Sequence, residues 1–254
     1  GIVVLTTLLF VAPKLIDLNS YKSKISQKIR NLTGFELIID GNIQVSFLPV
    51  PTLIVEKISL INSANNSSEI AQLKALEIRV DLLPLLAGKI IITAADLIEP
   101  IISMHVQANG EKNWIPRPIT NNESNTNEEP LVQKPPNNIQ TIVNEKSETK
   151  LAIRKIKIIN GTIRYSNLSI GKTEELKKIN AAVAFDNAIE SFTSEGKLEI
   201  RQMPFNYSFG VNKESGNNTR PLNVKLRNKK TKLLITGMLS DYTANPRFIG
   251  KINV

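Results

Sequence analysis

The sequence predicts a mainly β protein: an elongated, twisted antiparallel sheet that forms an open apolar groove, preceded by an N-terminal anchor and a short amphipathic helix. Three observations predict it. Residues 1–13 carry no charge, apolar residues between 18 and 32 recur at helical spacing, and from Phe35 onward apolar and polar residues alternate with a period of two. Such strands have one apolar and one wet face. No second series of wholly apolar strands is present to cover that face, so an open groove is expected, with a closed sandwich as the alternative.

The first segment, 1–16, is predicted to be a partial signal-anchor. Its uncharged run, GIVVLTTLLFVAP, has 13 residues and ends at Lys14, whereas a membrane-spanning helix needs roughly 20. A signal peptide is disfavoured because no basic segment precedes the run; a buried core helix is the other alternative. The chain begins with Gly and stops inside an apparent strand, so we expect residues to be missing at both ends.

A short amphipathic helix is predicted next. Its apolar positions are spaced by 3, 4, 4 and 3 residues and comprise Leu18, Tyr21, Ile25, Ile29 and Leu32. Asp17 or a neighbouring polar residue can cap its start, and Gly34 fits its C-terminal end. Its other faces carry Lys22, Lys24, Lys28 and Arg30. One alternative is that the helix lies on anionic headgroups. The favoured alternative is that its apolar face plugs the end of the following sheet, because that end needs covering.

The helix and a first series of strands form one predicted β-groove module, 17–115. Its clearest strands alternate around residues 43–47, 76–82 and 102–106. Asp40-Gly41 and Asn109-Gly110 are candidates for hairpins or bulges, because such pairs accept positive φ. Prolines 49 and 51 cannot donate to a ladder, so they are expected between strands.

A segment rich in Asn, Glu, Pro and Ser, 116–150, is predicted to be a disordered linker or long loop, since it has too few apolar residues to order itself. A second β-groove module, 151–254, follows it. Near the start of this module, Asn160-Gly161 stands between two apolar runs and predicts a β-hairpin.

The candidate functional site is the apolar face of the predicted sheet. Acyl chains could take the place of a packed partner layer there, each buried methylene contributing roughly 0.8 kcal/mol. The predicted groove-lining residues are Ile43, Val45, Phe47, Leu76, Ile78, Val80, Leu82, Ile102, Met104, Val106, Ile156, Ile158, Phe205, Tyr207 and Phe209.

The positive charge is concentrated in the second half of the chain. Residues 151–254 carry 18 Lys/Arg against 8 Asp/Glu, a net of +10, whereas residues 1–120 carry 11 against 10. Such a region could attract phosphates of nucleic acid or of lipid headgroups, although a solvated sheet face is the simpler interpretation. No clustered basic-aromatic motif accompanies the charge, so nucleic acid is not expected as a partner.

The sequence offers little for catalysis. There is no cysteine, and His105 is the single histidine, which leaves no thiolate or paired-histidine metal site within one chain. Gly171-Lys172-Thr173 resembles the end of a phosphate-binding loop, but that motif needs a glycine at position 166, which is Ser166. We therefore expect no enzymatic activity, no metal, no cofactor and no small-molecule substrate.

The order of several short motifs over residues 34–114 is quite specific. These motifs are Thr33-Gly34-Phe35, Asp40-Gly41, Leu48-Pro49-Val50-Pro51, Leu60-Ile61-Asn62, Ile70-Ala71, the run from Leu82 to Gly88, Glu99-Pro100 and Gly110-Glu111-Lys112-Asn113-Trp114. With the preceding anchor and helix, they resemble the N-terminal region of the AsmA family of Gram-negative envelope proteins, relatives of TamB. The second strand series, which includes Asn160-Gly161 and Ile179-Asn180, is similar to the same family.

The resemblance implies an inner-membrane anchor, a periplasmic body, and a long twisted sheet folded into an apolar groove like that of bridge-like lipid-transfer proteins. It also implies membrane phospholipid as the partner and a role in outer-membrane biogenesis, with no catalytic residues to carry over. The chain is short for the family. A structural or regulatory envelope protein that docks a protein partner without carrying lipid is the alternative function.

Overall fold

The computed structural model describes residues 17–47, 49–62, 68–86, 89, 91–115, 150–186, 191–215, 218–240 and 247–254. Among these described residues, strands account for 66% and helices for 11%, which confirms the predicted mainly β class. The predicted anchor (1–16) and, apart from Lys150, the predicted linker (116–150) lie outside the described residues.

Two short helices and a short 3₁₀-helix accompany the strands. The 3₁₀-helix spans Leu18–Tyr21, α1 spans Lys22–Thr33 and α2 spans Leu82–Leu86. The strands are β1 (Glu36–Ile39), β2 (Ile43–Ser46), β3 (Thr52–Asn62), β4 (Ser68–Val80), β5 (Ile91–Ile98), β6 (Ile101–Val106), β7 (Lys150–Asn167), β8 (Lys172–Phe185), β9 (Phe192–Ile200), β10 (Met203–Val211), β11 (Thr219–Arg227), β12 (Lys232–Ser240) and β13 (Arg247–Asn253).

All 13 strands belong to one twisted sheet. β1 and β2 follow one another along β3, and β5 and β6 follow one another between β4 and β7. From β7 to β13 each strand pairs antiparallel with the next along the chain. The two predicted strand series are therefore joined edge to edge in a continuous sheet.

The sheet is mixed rather than wholly antiparallel. β5 and β6 run parallel to β7, with Ile91 opposite Lys150 and Ile102 opposite Ile163. A parallel neighbour requires a long crossover connection, and the chain between β6 and β7, residues 107–149, has the length for one. The predicted antiparallel arrangement is correct for every other pair of adjacent strands.

The predicted helix is confirmed. The Asp17 carboxylate accepts a hydrogen bond from the Asn19 backbone N–H at 3.0 Å, which satisfies a free donor at the start of the 3₁₀-helix. Gly34 follows the last residue of α1 and has the left-handed backbone conformation, with φ of 73°, that commonly ends right-handed α-helices. Its N–H donates to the Arg30 carbonyl at 2.8 Å. α1 lies beside β1, the edge strand that follows it.

One cluster of buried apolar side chains lies under the 3₁₀-helix, while other buried apolar residues are spread along the sheet, Ile70, Ile179 and Val211 among them. Ile43, Val55 and Ile58 are 6–7% exposed and form a cluster against which Leu18 packs. Further half-buried side chains of the first four strands surround it, namely Leu37, Ile39, Leu53, Leu73 and Leu76. The 3₁₀-helix therefore covers part of the apolar face of β2 and β3.

Two buried asparagines fix the loop that follows β6. Asn62 and Asn113 are each 1% exposed. The Asn62 side-chain amide donates to the carbonyls of Asn113 and Ile115 at 2.8 and 3.0 Å, while the Asn113 amide donates to the Ser103 carbonyl at 2.8 Å. Buried amides are stable when partnered in this way, so residues 107–115 are held against the ends of β3 and β4.

Two local predictions are wrong. Asn160-Gly161 does not form a hairpin, because it lies inside the 18-residue strand β7. Only Asn160 of the pair has positive φ (54°), whereas a two-residue hairpin turn of this type needs positive φ at both positions; the residues form a bulge opposite β8. Leu82 does not extend β4, which ends at Val80, since Leu82 begins α2.

Candidate functional site

The apolar side chains of the sheet are aligned in rows that cross the strands. Side chains of directly opposed residues in neighbouring strands project from the same face. The first row crosses eleven strands through Val45, Leu53, Ile78, Ala95, Ile156, Val183, Ser194, Phe209, Val224, Ile235 and Ile252.

A second row runs beside the first, two residues along each strand. It crosses ten strands through Ile43, Val55, Leu76, Leu97, Ile158, Ala181, Gly196, Tyr207, Leu226 and Leu233. The two side-chain hydroxyls in these rows bond each other, with Ser194 Oγ 2.9 Å from Tyr207 Oη. No charged side chain belongs to either row, so together they form a continuous apolar surface, which we call the apolar face.

Most of this face is partly open to solvent. Outside the core cluster, most residues of the two rows are half-buried rather than buried. Three aromatic side chains widen the surface across β8 to β10, where the ring of Phe192 lies 6.0 Å from that of Phe185 and 5.5 Å from that of Phe209. At the last described strand, Ile252 is 63% exposed.

The structure brings most of the predicted lining residues together. Eight of them lie in the two rows: Ile43, Val45, Leu76, Ile78, Ile156, Ile158, Tyr207 and Phe209. Val80 pairs with Ile92 beyond a bulge at the end of the same face, and Phe205 follows on β10 opposite Leu198.

Two predicted residues lie off the strands. Phe47 follows β2 in a loop and is half-buried, and Leu82 is 44% exposed on α2. Neither belongs to a row.

Ile102, Met104 and Val106 lie on the same face but beyond an irregularity in the sheet. Ile102 belongs to a further row, made of Leu37, Leu60, Ala71, Ile102, Ile163, Leu176, Ile200 and Met203. Leu37 of this row packs on the core cluster, which shows that the row shares a face with Ile43.

The irregularity is a line of residues with positive φ in β3, between β5 and β6, in β7 and in β8, and the strand register shifts at its positions in β7 and β8. Lys57, Glu99, Asn160 and Lys178 have φ between 46° and 54°, a region that side-chain-bearing residues seldom adopt. Hydrogen bonds connect three of the four positions: Glu99 N–H donates to the Ile159 carbonyl at 2.8 Å, Asn160 N–H donates to the Asn180 side chain at 3.1 Å, and the Asn180 amide donates to the Lys178 carbonyl at 2.9 Å. We call these four residues the bulge row.

The bulge row keeps the apolar residues on one face. In β7, Ile158 and Ile163 belong to apolar rows on either side of it and are five residues apart. Strict alternation would place residues an odd number apart on opposite faces. An extra, bulged residue restores the alternation, so the apolar face extends across the bulge row.

Sequence reasoning missed the bulge row and several members of the apolar face. Leu97 and Ala95 lie in β5, whose sequence IITAADLI shows no clear alternation. Val183 and Val224 lie on strands that alternate and could have been included on that signal. Of the bulge row itself, only Asn160 is of a residue type that commonly accepts positive φ.

The opposite face of the sheet is polar. Lys155, Lys157 and Lys225 project from it and are exposed, consistent with a solvated basic face. A two-point ion pair on this face joins β4 and β5: Arg79 donates to both carboxylate oxygens of Asp96 at 2.6 and 3.1 Å. Asp96 is 6% exposed, so this pair compensates a buried charge.

A pocket of about 420 Å³ opens on the polar face along the bulge row. Its charged lining includes Lys74 and Glu99, which pair with each other at 2.6 Å and are 65% and 44% exposed. His105 lies further along β6 with its Nδ1 2.5 Å from Ser166 Oγ. Within the described ranges, no group of three or more His, Cys, Asp or Glu side chains is arranged to hold a metal ion.

The described helices are short. None of them combines the length and apolarity that crossing a bilayer requires. The uncharged run 1–13 lies outside the described residues.

The fold and the site define a class: a large twisted β-sheet with one predominantly apolar face and a short helix beside its first strand. The AsmA family model matches residues 1–247, nearly the whole chain, and the protein therefore belongs to the AsmA family. Proteins of this family are associated with the cell envelope. No curated protein and no solved structure gives a significant match.

Proposed function

We propose that this AsmA-family protein is held in the inner membrane by its N-terminal segment and acts from the periplasm in outer-membrane biogenesis, holding or passing phospholipid acyl chains along the apolar face of its sheet. The observation that carries the proposal is the pair of predominantly apolar rows, free of charged side chains, across ten and eleven strands. Their half-buried state leaves apolar area for a ligand to cover.

The dimensions and chemistry of the face suit acyl chains. With neighbouring strands about 4.8 Å apart, the first row extends about 50 Å along the sheet. Each methylene that leaves water on such a surface contributes about 0.8 kcal/mol. The hydroxyls of Ser194 and Tyr207 satisfy each other, so they offer no strong polar site that would hold one headgroup in place. The face is therefore suited to cargo that slides.

A charge on the apolar face tests the proposal. Val224 lies in the first row between Phe209 and Ile235, whereas its neighbour Asn223 projects from the polar face and is exposed. In the full-length chain, Val224→Lys is expected to reduce the phospholipid that co-purifies with the protein, because acyl chains would have to pass an ammonium group. Asn223→Lys is the control and should leave the lipid unchanged.

Mass spectrometry of extracted lipid, normalised to folded protein, gives the measurement. Equal lipid in both variants and in the unsubstituted chain would contradict the proposal. Loss of lipid in both variants would indicate that added charge, and not its place on the apolar face, is responsible.

A second candidate function, docking of an envelope protein, is favoured by a different observation. β13 is exposed along its whole length, with Ile249 at 78% and Ile252 at 63%, although these residues project from opposite faces. An open strand edge with apolar residues can add a strand from a partner. Recovery of the protein without lipid but with a stoichiometric envelope protein would favour this function.

A further inference from the structure

One end of the sheet carries exposed apolar side chains that lie outside the strands and outside the buried core cluster. We call it the α2 end: β2 and β4 finish there, β3 and β5 begin there, and α2 connects β4 to β5. Leu83 on α2 is 76% exposed, Leu82 is 44% exposed, and Val50 in the β2–β3 loop is 43% exposed. Leu83 in particular leaves most of its side chain in water, where it adds little to packing of the sheet.

These side chains belong to two loops that are connected by a backbone hydrogen bond. The Val80 N–H donates to the Pro51 carbonyl at 3.0 Å, which joins the loop bearing Val50 to the start of α2. Within the α2 loop, the Leu85 N–H donates to the Asp81 carbonyl at 3.2 Å and the Lys89 N–H donates to the Pro84 carbonyl at 2.9 Å. The apolar side chains are therefore presented by a hydrogen-bonded rim and not by isolated residues.

The described chain begins toward the same end. α1 runs antiparallel to β1 and β2, because Thr33 leads into the far end of β1 while Asn19 accepts a hydrogen bond from the Ile43 backbone N–H at 3.1 Å. From Ile43 the strand reaches its end at Ser46, about 10 Å away. In the sequence, the uncharged run 1–13 precedes Asp17 by only three residues.

We propose that Val50, Leu82 and Leu83 form a contact site for the bilayer surface, inserting into the acyl region beside the membrane segment of the same chain. This inference rests on the proposed membrane attachment through the N-terminal segment. It adds a second contact, so that the sheet meets the membrane with its α2 end and the apolar face begins near the lipid.

The contact is apolar and not electrostatic. Residues 81–89 contain one acidic and one basic residue, Asp81 and Lys89, so this loop carries no net charge with which to attract anionic headgroups. Insertion of leucines depends on the apolar area removed from water, which salt does not screen. Binding through this site should therefore be as strong on zwitterionic as on anionic lipid and should not weaken as salt rises.

The absence of cysteine from the chain allows a single label to test the site. The full-length protein in zwitterionic nanodiscs would carry an environment-sensitive fluorophore on Leu83→Cys. The control is Leu168→Cys, because Leu168 is 66% exposed on the β7–β8 hairpin at the other end of the sheet. We expect the label on Leu83→Cys to shift to shorter wavelength and to be quenched by nitroxide-labelled lipid, and the label on Leu168→Cys to do neither.

Two results would overturn the site: equal behaviour of the two labels, or loss of the Leu83→Cys signal at moderate salt. A Val50→Cys label in a chain that also carries Leu82→Ser and Leu83→Ser provides an independent check, since its quenching by lipid should be lost. Failure of the proposed membrane attachment would be seen separately, as protein that leaves the nanodisc during size-exclusion chromatography.

Discussion

The two ends of the apolar rows are built from the same kinds of residue but are buried to very different extents. Ile43, at the start of the second row, is 6% exposed beneath Leu18, whereas Ile252, at the end of the first row, is 63% exposed. Both lie on the same face of one sheet. The difference comes from the cover: the chain's own 3₁₀-helix lies over the first strands, and no described element packs in this way on β13.

Two properties of the protein determine the state of each part of the apolar face. The alternation of a strand specifies which residues share a face, and the cover decides whether that face becomes core or surface. At the Ile43 end the face is core, which stabilises the fold. Elsewhere the face is mostly half-buried, with single buried residues such as Ala95, Ala181 and Val211, and its half-buried part gains free energy when an apolar ligand covers it.

The largest expected effect comes from truncating the covered end. Ile43→Ala should lower the free energy of unfolding by about 2–5 kcal/mol, because it leaves a cavity in the only buried apolar cluster of the described residues. Ile252→Ala should change it by less than about 0.5 kcal/mol. Urea unfolding of both variants measures the difference; equal losses would show that the two ends are covered alike.

A smaller effect is expected where two strands approach closely between the ends. A Cβ at Gly196 would lie 2.0 Å from the Asn180 carbonyl oxygen, whereas a Cβ at Gly210 would have its nearest neighbour, the Thr193 methyl, at 3.7 Å. Gly196→Ala should therefore cost at least about 1–3 kcal/mol of stability.

Gly210→Ala, its matched control, should cost under about 1 kcal/mol. The midpoints of thermal unfolding compare the two variants. Similar midpoints for the two variants would show that the stability of the sheet does not depend on the close approach of Gly196 to the backbone of Asn180.

The smallest effect is expected in the bulge row. Asn160→Gly should raise the free energy of unfolding by up to about 1 kcal/mol, since glycine adopts positive φ without strain. Asn160→Val should lower it, because a β-branched residue is strained there. Denaturant midpoints of the two variants should move in opposite directions; a shift in the same direction would argue against a strained bulge at this position.

The fold class and much of the apolar face were readable from the sequence. Alternation identified the strands of Ile78, Ile156 and Phe209 because each has one wet face, and Gly34 marked the end of α1 because few other residues adopt its φ of 73°. The same reasoning wrongly extended β4 to Leu82, because apolar residues continue after the strand but belong to α2.

The parallel junction and the bulge row were not readable. The pairing of β5 with β7 is a contact between distant segments, and no local pattern specifies it. At the bulge row, Lys57 lies within β3 and Glu99 lies between β5 and β6, and neither residue type carries a local signal for positive φ. Asn160-Gly161 carried a local signal for positive φ, but a hairpin and a bulge use the same signal.

The most direct test of the central claim is to ask which face of the sheet touches lipid. Val183 lies in the first apolar row between Ile156 and Ser194, and its neighbour Ala182 lies on the polar face between Lys157 and Glu195. A photocrosslinking amino acid would replace each in turn in the full-length chain within a native envelope, followed by mass spectrometry of the protein. The account predicts a phospholipid adduct at position 183 and none at position 182; adducts at both positions, or at neither, would contradict it.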